Sequence, residues 1–96
     1  MTEVRQRIDV WLFRARFAKT RAAAARLVME GGVRVVRDGA SRVPDKASAE
    51  IAIGDALLLP LRGTVRTVRV ERLGERRGPP AEARLLYSEL DAEALA

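Results

Sequence analysis

The sequence predicts an α+β fold: two packed N-terminal helices, a small and mostly antiparallel sheet, and a C-terminal helix. Three observations carry this prediction. Between Arg7 and Phe17, and again after Thr20, apolar residues recur at the spacing of a helix face. After Gly31-Gly32 the spacing changes to the alternation of a strand, Val33-Arg34-Val35. From there to Glu71, short β-prone runs are divided by Asp38-Gly39, Gly54-Asp55 and Gly63, all turn signals.

Met1 to Gln6 is short and polar and reads as a loose end. In the first helix, Ile8, Trp11, Leu12 and Ala15 fall at i, i+3, i+4 and i+7, one stripe facing a core. Trp11 reads as a core residue, not a stacking platform. Asp9 sits in the first turn, where the helix dipole favours a carboxylate, and is placed to steer a nearby arginine. Thr20 is a suitable N-cap for the second helix, in which Ala24, Leu27 and Val28 form the buried stripe. The alanines from Ala22 to Ala25 favour helix and permit close approach of the pair. Gly31-Gly32 ends that helix, one of the two serving as a left-handed cap.

Val33 to Val35 then forms a strand and Asp38-Gly39 a hairpin turn. Ser41 to Lys46 reads as a return strand or irregular arm limited by Pro44. Ile51-Ala52-Ile53, Ala56 to Leu61 and Thr64 to Glu71 supply further strands. Composition breaks at Glu75-Arg76-Arg77-Gly78-Pro79-Pro80. Ala81 to Ala96 follows as a helix, with Leu86 and Leu90 four apart and Glu89, Asp91 and Glu93 fraying its negative end.

At 96 residues the chain makes one domain, with a modest core and no room for an enclosed substrate cavity. It has no Cys and no His, which excludes disulfides, zinc-knuckle ligands, a thiol nucleophile and a histidine base. No Gly-rich nucleotide loop, metal-ligand spacing or paired catalytic carboxylates are present, so no catalytic residue, cofactor or metal is assigned. No apolar run approaches the roughly 20 residues that span a bilayer, and MTEVRQRID lacks a signal-peptide core. The sequence reads as a soluble, cytoplasmic protein and a monomer.

Charge points to a partner. Residues 1–46 hold 11 Lys and Arg against 5 Asp and Glu, a net +6, whereas residues 47–96 hold 7 against 8, a net −1. Of the 18 basic residues 16 are Arg, whose planar guanidinium suits phosphate, although genome composition alone also produces such a bias. Lys19, Thr20 and Arg21 are displayed at a helix N-terminus, where free amides, a partial positive charge and two cations converge on a phosphate site. With only Trp11, Phe13, Phe17 and Tyr87 as aromatics, base stacking is not expected to be the main mode of binding.

Arg-Ile-Asp-x-Trp-Leu, then Arg14-x-x-x-x-Lys-Thr-Arg-x-x-Ala, Gly-Gly-x-Val-x-Val and Ile-Gly-Asp-x-Leu-x-Leu occur in that order between Arg7 and Leu59. This series resembles the S4 domain, an RNA-binding module with an S4-type (alpha-L) fold. Trp11-Leu12, Lys19-Thr20-Arg21 and the Arg76-Arg77-Gly-Pro-Pro-Ala-Glu-Ala-x-Leu-Leu-Tyr segment further resemble a family of ribosome-associated heat-shock proteins of fifteen kilodaltons. The resemblance implies an S4 RNA-binding domain over 1–62, with 63–96 packed on it or extending from it within a single domain. It implies structured RNA as partner, the ribosomal RNA of free or stalled large ribosomal subunits. It also implies RNA contacts from Arg7, Arg16, Lys19, Thr20, Arg21 and Arg34, with Asp9 orienting its neighbours; Arg14 and Arg37 join the candidate set by charge. The sequence departs from the pattern where Val10 replaces a Lys, Ala22 replaces a Ser, and Val36-Arg37-Asp38-Gly39 replaces a strand-ending Asn-Gly, lengthening the hairpin. It also departs in having no Lys-rich tail before Ala96.

Two other classes fit in part. An RNA-modifying enzyme often carries an S4 domain as its N-terminal arm, but nothing after Leu61 is long enough for a catalytic domain. A helix-turn-helix DNA-binding protein also pairs basic helices, yet here the cations gather at a helix start and on the next strand, away from any single recognition helix.

Overall fold

The computed structural model describes residues 4–91. In chain order it consists of β1 (Arg5–Arg7), α1 (Ile8–Arg14), α2 (Arg21–Glu30), β2 (Arg34–Arg37), β3 (Ala40–Arg42), β4 (Glu50–Ala52), β5 (Ala56–Leu61) and β6 (Thr64–Val70), then α3 (Pro80–Ala83), a 3₁₀ turn (Arg84–Leu86) and β7 (Tyr87–Leu90). The strands form a five-stranded sheet in the order β3-β2-β5-β6-β7 and a separate β1-β4 pair, every pairing antiparallel.

The α+β class and the helix pair match the sequence prediction. Ile8, Trp11 and Leu12 are fully buried and Ala15 nearly so, as their spacing requires. The first helix is shorter than predicted, ending at Arg14, because Arg16 turns into the left-handed region with φ 66°. In α2, Ala24 and Val28 are buried while Leu27 is only partly covered. Thr20 caps the helix, its hydroxyl accepting from the Ala23 amide at 2.9 Å. At the other end Gly31 remains right-handed and Gly32, at φ 83°, makes the left-handed exit that glycine allows without penalty.

Alternation along the strands sets the layers. Val33, Val35, Leu57, Leu59, Val68 and Val70 face the helices and are buried. Arg34, on the opposite parity of β2, stands on the outer face, paired with Leu58. Asp38 and Gly39 both have positive φ and close β2 onto β3 as a two-residue turn, so the departure from the Asn-Gly pattern produces a tight hairpin extended to Arg37, not a longer loop.

Two predictions are corrected. Arg5 and Gln6, read as part of a loose end, and Arg7, read as the start of the first helix, form a strand on β4, and Gln6 exchanges hydrogen bonds with Gly74 from its amide side chain. A three-residue strand is too short to show alternation. The predicted C-terminal helix over 81–96 is confined to Pro80–Ala83 and the following 3₁₀ turn; Tyr87–Leu90 is a strand on β6, and residues 92–96, with Glu93, lie outside the described residues. Leu86 and Leu90 are four apart, a spacing that suits a helix face and a strand face equally. The β6 edge decides between them, since its backbone groups need partners. Tyr87 then faces inward, its ring 4.7 Å from Phe17 and 6.5 Å from Trp11 between centroids.

Candidate RNA interface

The structure sorts the nine candidate residues into four settings. Arg7 and Asp9 form a two-pronged ion pair, Nε to Oδ1 at 3.0 Å and Nη2 to Oδ2 at 2.8 Å. Asp9 is buried and also accepts from the Val10 amide, while the Arg7 side chain remains half exposed. The carboxylate thus fixes the direction in which Arg7 is presented, as a steering residue should. The hydrogen bond to Asp9, and then its charge, raise the Arg7 pKa, so the guanidinium is fully charged at any working pH.

Lys19, Thr20 and Arg21 are all exposed at the start of α2. Among the described residues Lys19 and Arg21 have no ion-pair or hydrogen-bond partner, and with Thr20 occupying the Ala23 amide, the other first-turn amides accompany them. The arrangement can neutralise phosphate without first breaking an internal pair.

Arg14 and Arg16 are engaged elsewhere. Arg14 Nη1 donates to the Gly74 carbonyl and Arg16 Nε to the Gly78 carbonyl, each at 2.6 Å. Arg77 lies over the Phe13 ring, 5.1 Å from its centroid, and Trp11 Nε1 donates to the Arg72 carbonyl at 2.9 Å. The Arg72 to Gly78 segment is therefore a strap bound along α1, held mainly by side chains of the first helix and its exit. Nothing in its local sequence reveals this, because the bonds reach across about sixty residues to backbone oxygens.

Arg34 and Arg37 are separated by strand parity. Arg34 is exposed on the outer sheet face; Arg37 lies on the core side, where Asp55 receives it at 2.8 Å and 2.7 Å. Asp55 is buried and also accepts from the Ala52 amide at 2.9 Å. Burial pushes its carboxyl pKa up, but the hydrogen bonds from Arg37 and Ala52, with the charges of Arg37 and Arg42, outweigh this and hold it below the ordinary aspartate value. Arg37 thus closes the Ala52–Asp55 turn onto β2, and its charge, which placed it in the candidate set, is taken up by Asp55.

Among the described residues no three or more His, Cys, Asp or Glu side chains could hold a metal, and no helix is long and apolar enough to cross a membrane. Sequence reasoning missed Arg66, which lies on the inward parity of β6, near Phe17 and Tyr87. A charged residue at an inward position was the available signal. Its hydrogen bond to Glu89 raises its pKa, against the opposing effect of burial.

Comparison with known proteins agrees with this geometry. The S4 domain family matches residues 6–35, from β1 through α1 and α2 into β2. Heat shock protein 15 of Escherichia coli (strain K12) is 41% identical over 86 residues, covering 90% of this chain and 61% of that protein. The Haemophilus influenzae heat shock protein 15 homolog is 32% identical over 92 residues, covering 96% and 66%. The chain therefore spans about three-fifths of the length of the Escherichia coli relative. Vibrio cholerae heat shock protein 15, solved as a trimer, superposes with a TM-score of 0.78 at 33% identity over 98% of this chain and 87% of that one. With the S4 helix pair, the strap and the closing strand all falling inside that superposition, the chain belongs to the heat shock protein 15 family.

Proposed function

We propose that this chain is a non-catalytic RNA-binding protein whose target is ribosomal RNA of the large subunit, and that it acts in the cytoplasm in rescue or recycling of stalled free large subunits. The observation that carries the reading is the exposed Lys19-Thr20-Arg21 start of α2, cationic and without ion-pair partners among the described residues. Arg7, aimed by Asp9, and Arg34 add charge of the same sign on other elements. Phosphate contacts from such groups recognise folded RNA by shape more than by base sequence. Membership of the heat shock protein 15 family supports the ribosomal target.

The test is a comparison of affinity for a structured large-subunit ribosomal RNA hairpin, a poly-pyrimidine strand and a DNA duplex of equal length. Preference for the hairpin supports the reading, whereas equal affinity for all three reduces the protein to a non-specific polycation. Light scattering on the same samples decides between the expected monomer and a trimer like that of the Vibrio cholerae relative.

A further inference from the structure

The sheet half of the chain contributes a second basic cluster. Arg62 stands in the β5–β6 turn, Arg66 on the inward side of β6 and Arg84 in the 3₁₀ turn, and the fold draws all three to Arg16 and Phe17 beyond the end of α1. Two hollows share Arg16, Phe17 and Arg66. The larger, about 330 Å³, is also lined by Arg62 and Thr64; the smaller, about 100 Å³, by Arg84 and Tyr87. The larger is at the low end of the roughly 300–1,000 Å³ seen for small-ligand sites.

Arg66 is held in place. Its guanidinium carbon lies 5.1 Å from the Phe17 centroid and 5.9 Å from that of Tyr87, and Glu89 pairs with it, yet 40% of its side chain is exposed. Arg62 and Arg84 are exposed and make no ion pair or ring contact among the described residues. Arg16 adopts a left-handed backbone at φ 66°, rare for a residue with a side chain, and its Nε is occupied by the Gly78 carbonyl. Guanidinium planes and aromatic rings are the surfaces on which proteins stack bases freed from a helix. Two unpaired arginines beside such a surface supply the phosphate contacts that must accompany the base. A base still within a duplex has its faces covered by its neighbours and cannot use the groove.

We propose that this groove holds an unpaired nucleotide adjoining the folded RNA bound at Lys19 and Arg21, its base against Phe17, Arg66 and Tyr87 and the phosphates on its two sides on Arg62 and Arg84. The proposal rests on the reading of the chain as RNA-binding. It adds a single stacked base to a surface on which stacking is not expected to be the main mode of binding.

The test uses the full chain and two RNA hairpins, one blunt and one with a two-nucleotide single-stranded overhang. The overhang should tighten binding about tenfold, as one stacked base commonly does. In the double variant Arg62→Gln, Arg84→Gln the blunt hairpin should bind as before and the gain from the overhang should disappear; Lys19→Ala should weaken both hairpins by the same factor. A photo-reactive uridine in the overhang should cross-link to wild-type peptides containing Phe17 or Tyr87. Equal affinity for the two hairpins in wild type, or cross-links confined to other peptides, would overturn the groove while leaving the Lys19–Arg21 surface standing. Binding of neither hairpin would overturn the RNA reading itself, and the groove with it.

Discussion

Arg14 Nη1 and the carbonyl oxygen of Gly74 lie 2.6 Å apart, joining the first helix to a segment sixty residues further along the chain. The approach is close: a Cβ on Gly74 would come within 3.0 Å of Arg14 Cβ and of Leu86 Cδ1. Arg14→Ala should therefore lower stability by about 1–2 kcal/mol, the usual value of a partly exposed charge-assisted hydrogen bond. Its effect on RNA affinity should be smaller than that of Lys19→Ala. Denaturant melts beside RNA titrations separate the two effects; a large affinity loss at unchanged stability would return Arg14 to the binding surface.

Lys19→Ala and Arg21→Ala should each weaken RNA binding by about 1–2 kcal/mol, since each removes a charge-assisted phosphate contact and no internal partner. Both side chains are exposed, so circular dichroism and melting should not change. Wild-type affinity in the double variant would place the site elsewhere.

Burial separates the two leucines of the helix pair. Leu12 is fully buried and Leu12→Ala should cost about 2–5 kcal/mol, a severe loss for a small domain. Leu27 only flanks the core, and Leu27→Ala should cost at most about half as much. Equal losses in thermal melts would contradict the observed facing of α2.

The helix pair was legible because Ile8, Trp11, Leu12 and Ala15 state their period within eight residues, and Thr20 and Gly32 mark boundaries by chemistry that acts within a turn. Hairpins at Asp38-Gly39 and Gly63 were legible for the same local reason. What escaped depends on distant partners. The strap is fixed by Arg14, Arg16, Gln6 and Phe13, and β7 by the open edge of β6, neither of which leaves a pattern in residues 72–90. The cations of the front half were visible, but which of them hold the protein together was not: charge can be read in a sequence, and the occupation of that charge by Asp55, Gly74 or Gly78 cannot.

Asp55 gives stability a defined response to acid. Its folded carboxyl titrates below the ordinary value, so the unfolded chain takes up the proton first. The stabilisation is complete above the unfolded pKa of roughly 4 and is lost as the pH falls through the lower, folded value. Asp55→Asn should be less stable at neutral pH and lose less on acidification. Parallel melting curves with pH in the two proteins would exclude this source.

Salt dependence tests what kind of binding the α2 surface supports. Arg7, with 49% of its side chain exposed, Lys19, Arg21 and Arg34 all reach solvent, and Arg26 stands exposed on α2. Arg14 and Arg37 donate to Gly74 and Asp55 and are not counted. Four or five cations that each displace a condensed counterion should lower affinity by about two to three decades between roughly 50 and 200 mM salt. Counting Arg14, Arg16 and Arg37 as phosphate contacts as well would predict a steeper fall. The slope of log affinity against log salt, measured on a blunt ribosomal RNA hairpin, therefore reads the number of cations that dock. Lys19→Ala and Arg21→Ala should each reduce that slope by close to one contact, and Arg37→Ala should leave it unchanged. A slope near zero would remove phosphate from the account, and a loss of slope in Arg37→Ala would mean that Asp55 releases its partner when RNA binds.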